Sequence, residues 1–73
     1  MVGQRITEAR RSRGLSIDDV AATTRLRPLT IESIEDDDFS LCGGDIYAIG
    51  HLRMIADVVG LDGDDLVAEY RRG

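Results

Sequence analysis

The 73-residue sequence predicts an all-α fold of five short helices, and three observations carry that expectation. Apolar residues recur at spacings of three and four. Glycine stops and Ser or Asp caps punctuate these runs at short intervals, and no segment alternates at period two for long enough to make a strand. A chain of this length forms one domain, covering residues 1–73, and sits near the lower limit for folding on its own core. With 42% hydrophobic and 32% charged residues it has apolar material that disordered chains lack. Phe39, Tyr47 and Tyr70 are its only aromatic residues, so the core must be mostly aliphatic.

The first helix is expected from about Val2 to Arg13, with Ile6, Ala9 and Arg13 on one face and Gly14 as a left-handed stop. Ser16 then offers an N-cap, and Asp19 three residues on completes a capping-box-like pattern. Ile17, Val20, Ala21 and Thr24 supply the inner face of a second helix of about two turns. Arg25-Leu26-Arg27 is a turn, and Pro28 suits the first position of a third helix, where its missing N–H costs nothing. Leu26, Ile31 and Ile34 point one way. The helix ends near Glu35, because the macrodipole disfavours Asp36-Asp37-Asp38 at its C-terminus. That acidic run is read as a solvated face.

Phe39 to Gly44 reads as a loop with two apolar anchors, Phe39 and Leu41. Asp45 is expected to cap a fourth helix carrying Ile46, Ile49, Leu52, Arg53, Ile55, Ala56 and Val59, closed by Gly60. Asp62 and Asp65 repeat the cap pattern before a fifth helix with Leu66, Val67 and Tyr70.

Charge is unevenly spread. Residues 1–27 carry +3 and residues 28–73 carry −8, for a net charge of −5. An acidic total argues against unspecific polyanion binding, although a local basic face can still meet phosphate. The single Cys42 closes no internal disulfide and fits a reducing compartment. Met1 to Arg13 holds four arginines and no apolar stretch, unlike a secretory signal, and no apolar run approaches the ~20 residues of a membrane helix. The expected location is the cytoplasm.

No catalytic or cofactor-binding constellation is visible. Cys42 and His51 lie nine residues apart, with no pattern that would activate a thiol nucleophile. One cysteine and one histidine fall short of a structural zinc set, and the Asp36–Asp38 run lacks the spacing of an EF-hand. Gly43-Gly44 has no Gly-Lys-Ser/Thr after it. So short a chain is expected to build no substrate pocket of the usual ~300–1,000 Å³.

The informative stretch is Leu15 to Glu35, with a helix-turn-helix core at about residues 16–35. Small Ala21 sits where the two helices cross, Leu26 plugs the turn, and Ile31 and Ile34 pack beneath the preceding helix. This segment resembles the lambda-repressor-like (Xre-type) helix-turn-helix superfamily. The whole chain more closely resembles the N-terminal cytoplasmic domain of the RodZ family of bacterial cell-shape proteins. The residues that carry the likeness begin with Ile6, Glu8-Ala9-Arg10, Gly14-Leu15-Ser16 and Asp19-Val20-Ala21. Thr24-Arg25, Ile34-Glu35, Asp38-Phe39, Tyr47, Gly50 and Leu52-Arg53 continue it, followed by Ala56, Gly60-Leu61, Asp65-Leu66 and Tyr70.

The resemblance implies a lambda-repressor-like bundle that docks on the actin-like filament protein MreB. It also implies a parent protein that continues into a linker, one membrane span and an extracytoplasmic domain. In that family an aromatic residue, a glycine and a second aromatic four positions after the first form much of the filament-binding face. The matching positions here are Tyr47, Gly50 and His51, and Arg53 is the candidate for an added charge contact. His51 replaces the more usual ring and is a weaker apolar anchor.

The alternative is an Xre-type DNA-binding regulator using Arg25, Arg27 and Ser33. A reader of duplex presents polar or basic groups at the start of its recognition helix. Leu29 and Glu32 occupy those positions here, and Ile17 stands where such repressors usually carry a backbone-contacting glutamine. A third reading, homodimerisation, rests on an exposed Leu29.

Overall fold

The computed structural model describes the whole chain, Met1–Gly73. Its helices are α1 (Val2–Ser12), α2 (Ile17–Thr24), α3 (Pro28–Glu35), α4 (Asp45–Val59) and α5 (Gly63–Arg72), with a 3₁₀ turn at Ser40–Cys42. No strand forms, so the all-α expectation holds.

Local chemistry sets most boundaries. Gly14 and Gly60 take φ of +67° and +84°, the left-handed region that lets the chain leave α1 and α4 without a Cβ clash. The Ser16 hydroxyl accepts from the Asp19 N–H at 2.9 Å, and the Asp19 carboxylate accepts from the Ser16 N–H at 2.9 Å, which is a complete capping box. Pro28 occupies the first turn of α3, and the Asp62 carboxylate caps α5. α2 and α3 are joined by Arg25-Leu26-Arg27. Arg25 there is left-handed (φ 62°), and its N–H donates to the Ala21 carbonyl at 2.8 Å. Leu26 is half-buried against the core, as a plug should be.

The core comprises fourteen buried residues and contains no aromatic ring. Ile6, Val20, Ile31, Ile34, Leu52, Ile55 and Leu66 are its largest fully enclosed side chains. α4 lies centrally, packing on α1, α2, α5 and the 3₁₀ turn, while α3 packs on α1 and α2. α3 and α4 share this core, but their backbones do not come close to each other.

Several expectations need correction. Asp45 does not cap α4: Gly44 holds the cap position, and the Asp45 carboxylate accepts from the Tyr70 hydroxyl at 2.8 Å. Tyr70 also meets Phe39 edge-on, with ring centroids 4.7 Å apart, pinning the 39–44 loop. Leu41 is no anchor; it is exposed, and Cys42 is buried in its place. Ile46 is not on the inner face of α4 but is 84% exposed, because Ala48, two residues on and so on nearly the opposite side of the helix, is the one that meets the core.

The acidic run is not simply solvated either. The Asp37 carboxylate accepts from the Gly3 N–H at 2.9 Å and so caps α1, which has no side-chain cap of its own. Asp38 accepts from the Ser40 N–H at 3.0 Å.

Candidate macromolecule-docking site

α4 is two-faced. Ala48, Leu52, Ile55, Ala56 and Val59 are buried, and the opposite side carries Tyr47, 62% exposed, with Met54 also exposed. Four residues make just over one helical turn, so Tyr47 and His51 sit within about 40° of each other on the helix. Met54, seven residues from Tyr47, returns to the same strip. Gly50 lies on its flank and opens space beside Tyr47, since a Cβ there would meet nothing within 4 Å.

Arg53 does not belong with them. It points about 120° away from Tyr47, and its guanidinium pairs with the Asp64 carboxylate of α5. The structure therefore brings Tyr47 and His51 together and assigns Arg53 to the α4–α5 contact.

His51 reaches toward the other candidate set. A groove of about 370 Å³ runs between the start of α3 and the middle of α4, where the two backbones stand apart. Arg25 and Arg27 border it, Leu26, Leu29 and Leu41 give it an apolar lining, and His51 closes its α4 side. The groove is open to solvent. It and a cleft of about 380 Å³ between Met1, Phe39 and Tyr70 show that a chain this short does form spaces in the size range thought out of reach, as surface grooves. Ser33 is half-buried on the flank of α3 and does not line the groove.

The electrostatics of this side are specific. Arg5 pairs with Asp65 and Glu69, Arg10 with Glu35 and Arg53 with Asp64. Arg25 and Arg27, like Arg11, Arg13, Arg71 and Arg72, are exposed and have no carboxylate within ion-pair distance. The solvent side of α3 shows Leu29 and Glu32, with Asp36 just beyond its end, and no base. On His51, Nδ1 is sealed from solvent without a hydrogen-bond partner.

Leu41 and Met54 are the contributors that residue-by-residue reading overlooks. Met54 is recoverable from its spacing to Tyr47. Leu41 is not, because its exposure depends on how the loop is pinned by Phe39 and Cys42. No group of three or more His, Cys, Asp or Glu side chains gathers as a metal site. No helix is long and apolar enough to cross a membrane.

A three-residue turn between two short crossed helices, an aliphatic bundle around them and an open, chemically mixed groove define the class: a small helix-turn-helix domain with a surface suited to macromolecular contact. Residues 5–66 match the family model described as a helix-turn-helix domain, and the chain belongs to that family. It is also similar to an uncharacterized membrane protein, YmfM, of Bacillus subtilis (strain 168). The identity is 28% over 58 residues, covering 80% of this chain and 20% of that protein. The chain thus spans about a fifth of that curated relative's length. No solved structure matches it.

Proposed function

We propose that this domain is a non-catalytic adaptor of the RodZ type, docking on an actin-like filament protein of the MreB class through the exposed side of α4. Tyr47 is the rigid anchor, with His51 and Met54 beside it. The observation that carries this reading is the contrast between two neighbouring surfaces. α4 turns Tyr47, Met54 and Ile46 to solvent, whereas the helix that would read duplex presents Leu29 and Glu32. Apolar and aromatic groups at the centre of a patch are what protein interfaces are built on. The description of the Bacillus subtilis relative as a membrane protein supports a parent chain that holds the domain at the cytoplasmic face of a membrane.

The test is co-sedimentation with polymerised MreB-type filaments. Tyr47→Ala is expected to weaken binding roughly thirtyfold, the loss typical of a hot-spot tyrosine. Tyr47 is 62% exposed, so helical circular dichroism should not change. Undiminished co-sedimentation by that variant overturns the assignment.

One observation favours a second reading: Arg25 and Arg27 flank the turn unpaired, placed as phosphate clamps would be. A DNA-binding regulator using them with Ser33 would bind duplex with an affinity falling steeply with salt, which a gel shift at two salt concentrations reads directly.

A further inference from the structure

We infer that the groove between α3 and α4 receives an acidic amphipathic peptide segment of a protein partner, with a carboxylate at Arg25 and Arg27 and an aliphatic side chain between Leu29 and Leu41. This rests on the protein-docking reading of that side of the molecule but not on which protein docks.

Charge complementarity carries the choice of occupant. The chain has fourteen acidic residues and nine basic ones, all arginine. Arg5, Arg10 and Arg53 are neutralised by carboxylates of the chain itself, and the other six arginines are not. Of those six, Arg25 and Arg27 are the two that border this groove. The left-handed backbone at Arg25 and the extended backbone at Arg27 (φ −69°, ψ 141°) belong to a turn that leaves both side chains exposed at the rim of one groove. A guanidinium presents a planar fork that suits carboxylates, and two of them on one rim make a receptor for acid groups.

The floor decides between the anions that such a rim accepts. Leu29 and Leu41 are 62% and 50% exposed, and half-buried Leu26 lies behind them. A sugar-phosphate backbone offers only the C–H edges of its sugars, set between charged phosphates, to cover these side chains. A duplex pressed onto α3 would also meet Glu32, a like charge. A peptide carrying an acid beside leucine-like residues satisfies both chemistries at once. His51 lines the α4 side, with its Nδ1 sealed from solvent.

The experiment is an NMR titration of the ¹⁵N-labelled full chain. The probes are an acetylated octapeptide of repeating Glu-Glu-Leu-Leu, its Gln-Gln-Leu-Leu and Lys-Lys-Leu-Leu counterparts, and a short mixed-sequence duplex. The acidic peptide is expected to shift the amides of Arg25, Arg27, Leu29, Leu41 and His51. Arg25→Gln with Arg27→Gln should weaken it about fivefold to tenfold, as should the glutamine peptide. Equal binding of the acidic and basic peptides, shifts lying elsewhere, or groove shifts produced by duplex at lower concentration than by peptide each overturn the inference. Loss of peptide binding alongside filament co-sedimentation that still depends on Tyr47 sinks the groove assignment alone. Peptide binding without co-sedimentation sinks the filament reading alone.

Discussion

Gly3 shows how far a single position can depend on the tertiary context. In an isolated helix, alanine is favoured over glycine by roughly 0.5–1 kcal/mol. Here a Cβ on Gly3 would lie 2.3 Å from the Glu35 carbonyl oxygen, where α1 crosses the end of α3. The same residue donates its N–H to Asp37, whose backbone is itself left-handed at φ 60°. Nearby, the Arg10 guanidinium forks onto the Glu35 carboxylate at 2.8 and 3.0 Å, and the Thr7 hydroxyl donates to Glu35 at 2.7 Å, so this crossing has no slack. Gly3→Ala is therefore expected to destabilise by roughly 1–3 kcal/mol, the cost of overpacking, against the direction of helix propensity. Thermal melting checks it: a midpoint lowered by several degrees agrees, and a raised midpoint means that the crossing is looser than described.

Among the elements, α2 is the clearest case of local chemistry specifying a helix. It has only eight residues, too few to be stable alone in water, so its hold comes from the capping box and from packing on α3 and α4. Ser16→Ala removes one half of the box and is expected to cost about 1 kcal/mol in chemical denaturation. Ser16 lies outside the α3–α4 groove, so peptide binding should survive in the folded fraction. α4 makes a different point. Its spacing correctly marked Leu52, Ile55, Ala56 and Val59 for the core, yet Ile46 fits a helical pattern equally well and faces solvent. Periodicity says that a residue can join a face. Which neighbours arrive to cover it is settled elsewhere.

For the whole molecule, net charge and pH set the working range. Ser16 holds Asp19 below the usual carboxylate range through its backbone N–H and then its hydroxyl. Ser40, through its side chain and backbone N–H, does the same for Asp38, and Arg5 for Glu69. A carboxylate whose value is depressed by folding contributes stability above its ordinary value and loses it as pH falls through the folded one. The domain is accordingly expected to hold its stability near neutral pH and lose it once pH drops below the ordinary values of 4.5 for Glu69 and 3.8 for the two aspartates. Denaturant midpoints measured from pH 7 to pH 3 check this, and a midpoint that rises on acidification contradicts it. At the same scale, the groove lies where the backbones of α3 and α4 stand apart, while α4 is in close backbone contact with α1, α2 and α5.

The fold class and the five helices were legible from the sequence because each rests on local chemistry. Caps, a proline at a helix start, left-handed glycines and three-and-four spacing all act within a few residues. Tyr47 and His51 as neighbours follow from one helix turn and were equally legible. The convergence of His51 with Arg25 and Arg27 on one groove, the withdrawal of Arg53 to Asp64, the capping of α1 by Asp37 and the exposure of Leu41 were not. Each depends on residues far apart in the chain meeting across a helix crossing. Sequence spacing fixes what a residue shares a helix face with, but only the packed arrangement of helices decides what lies opposite.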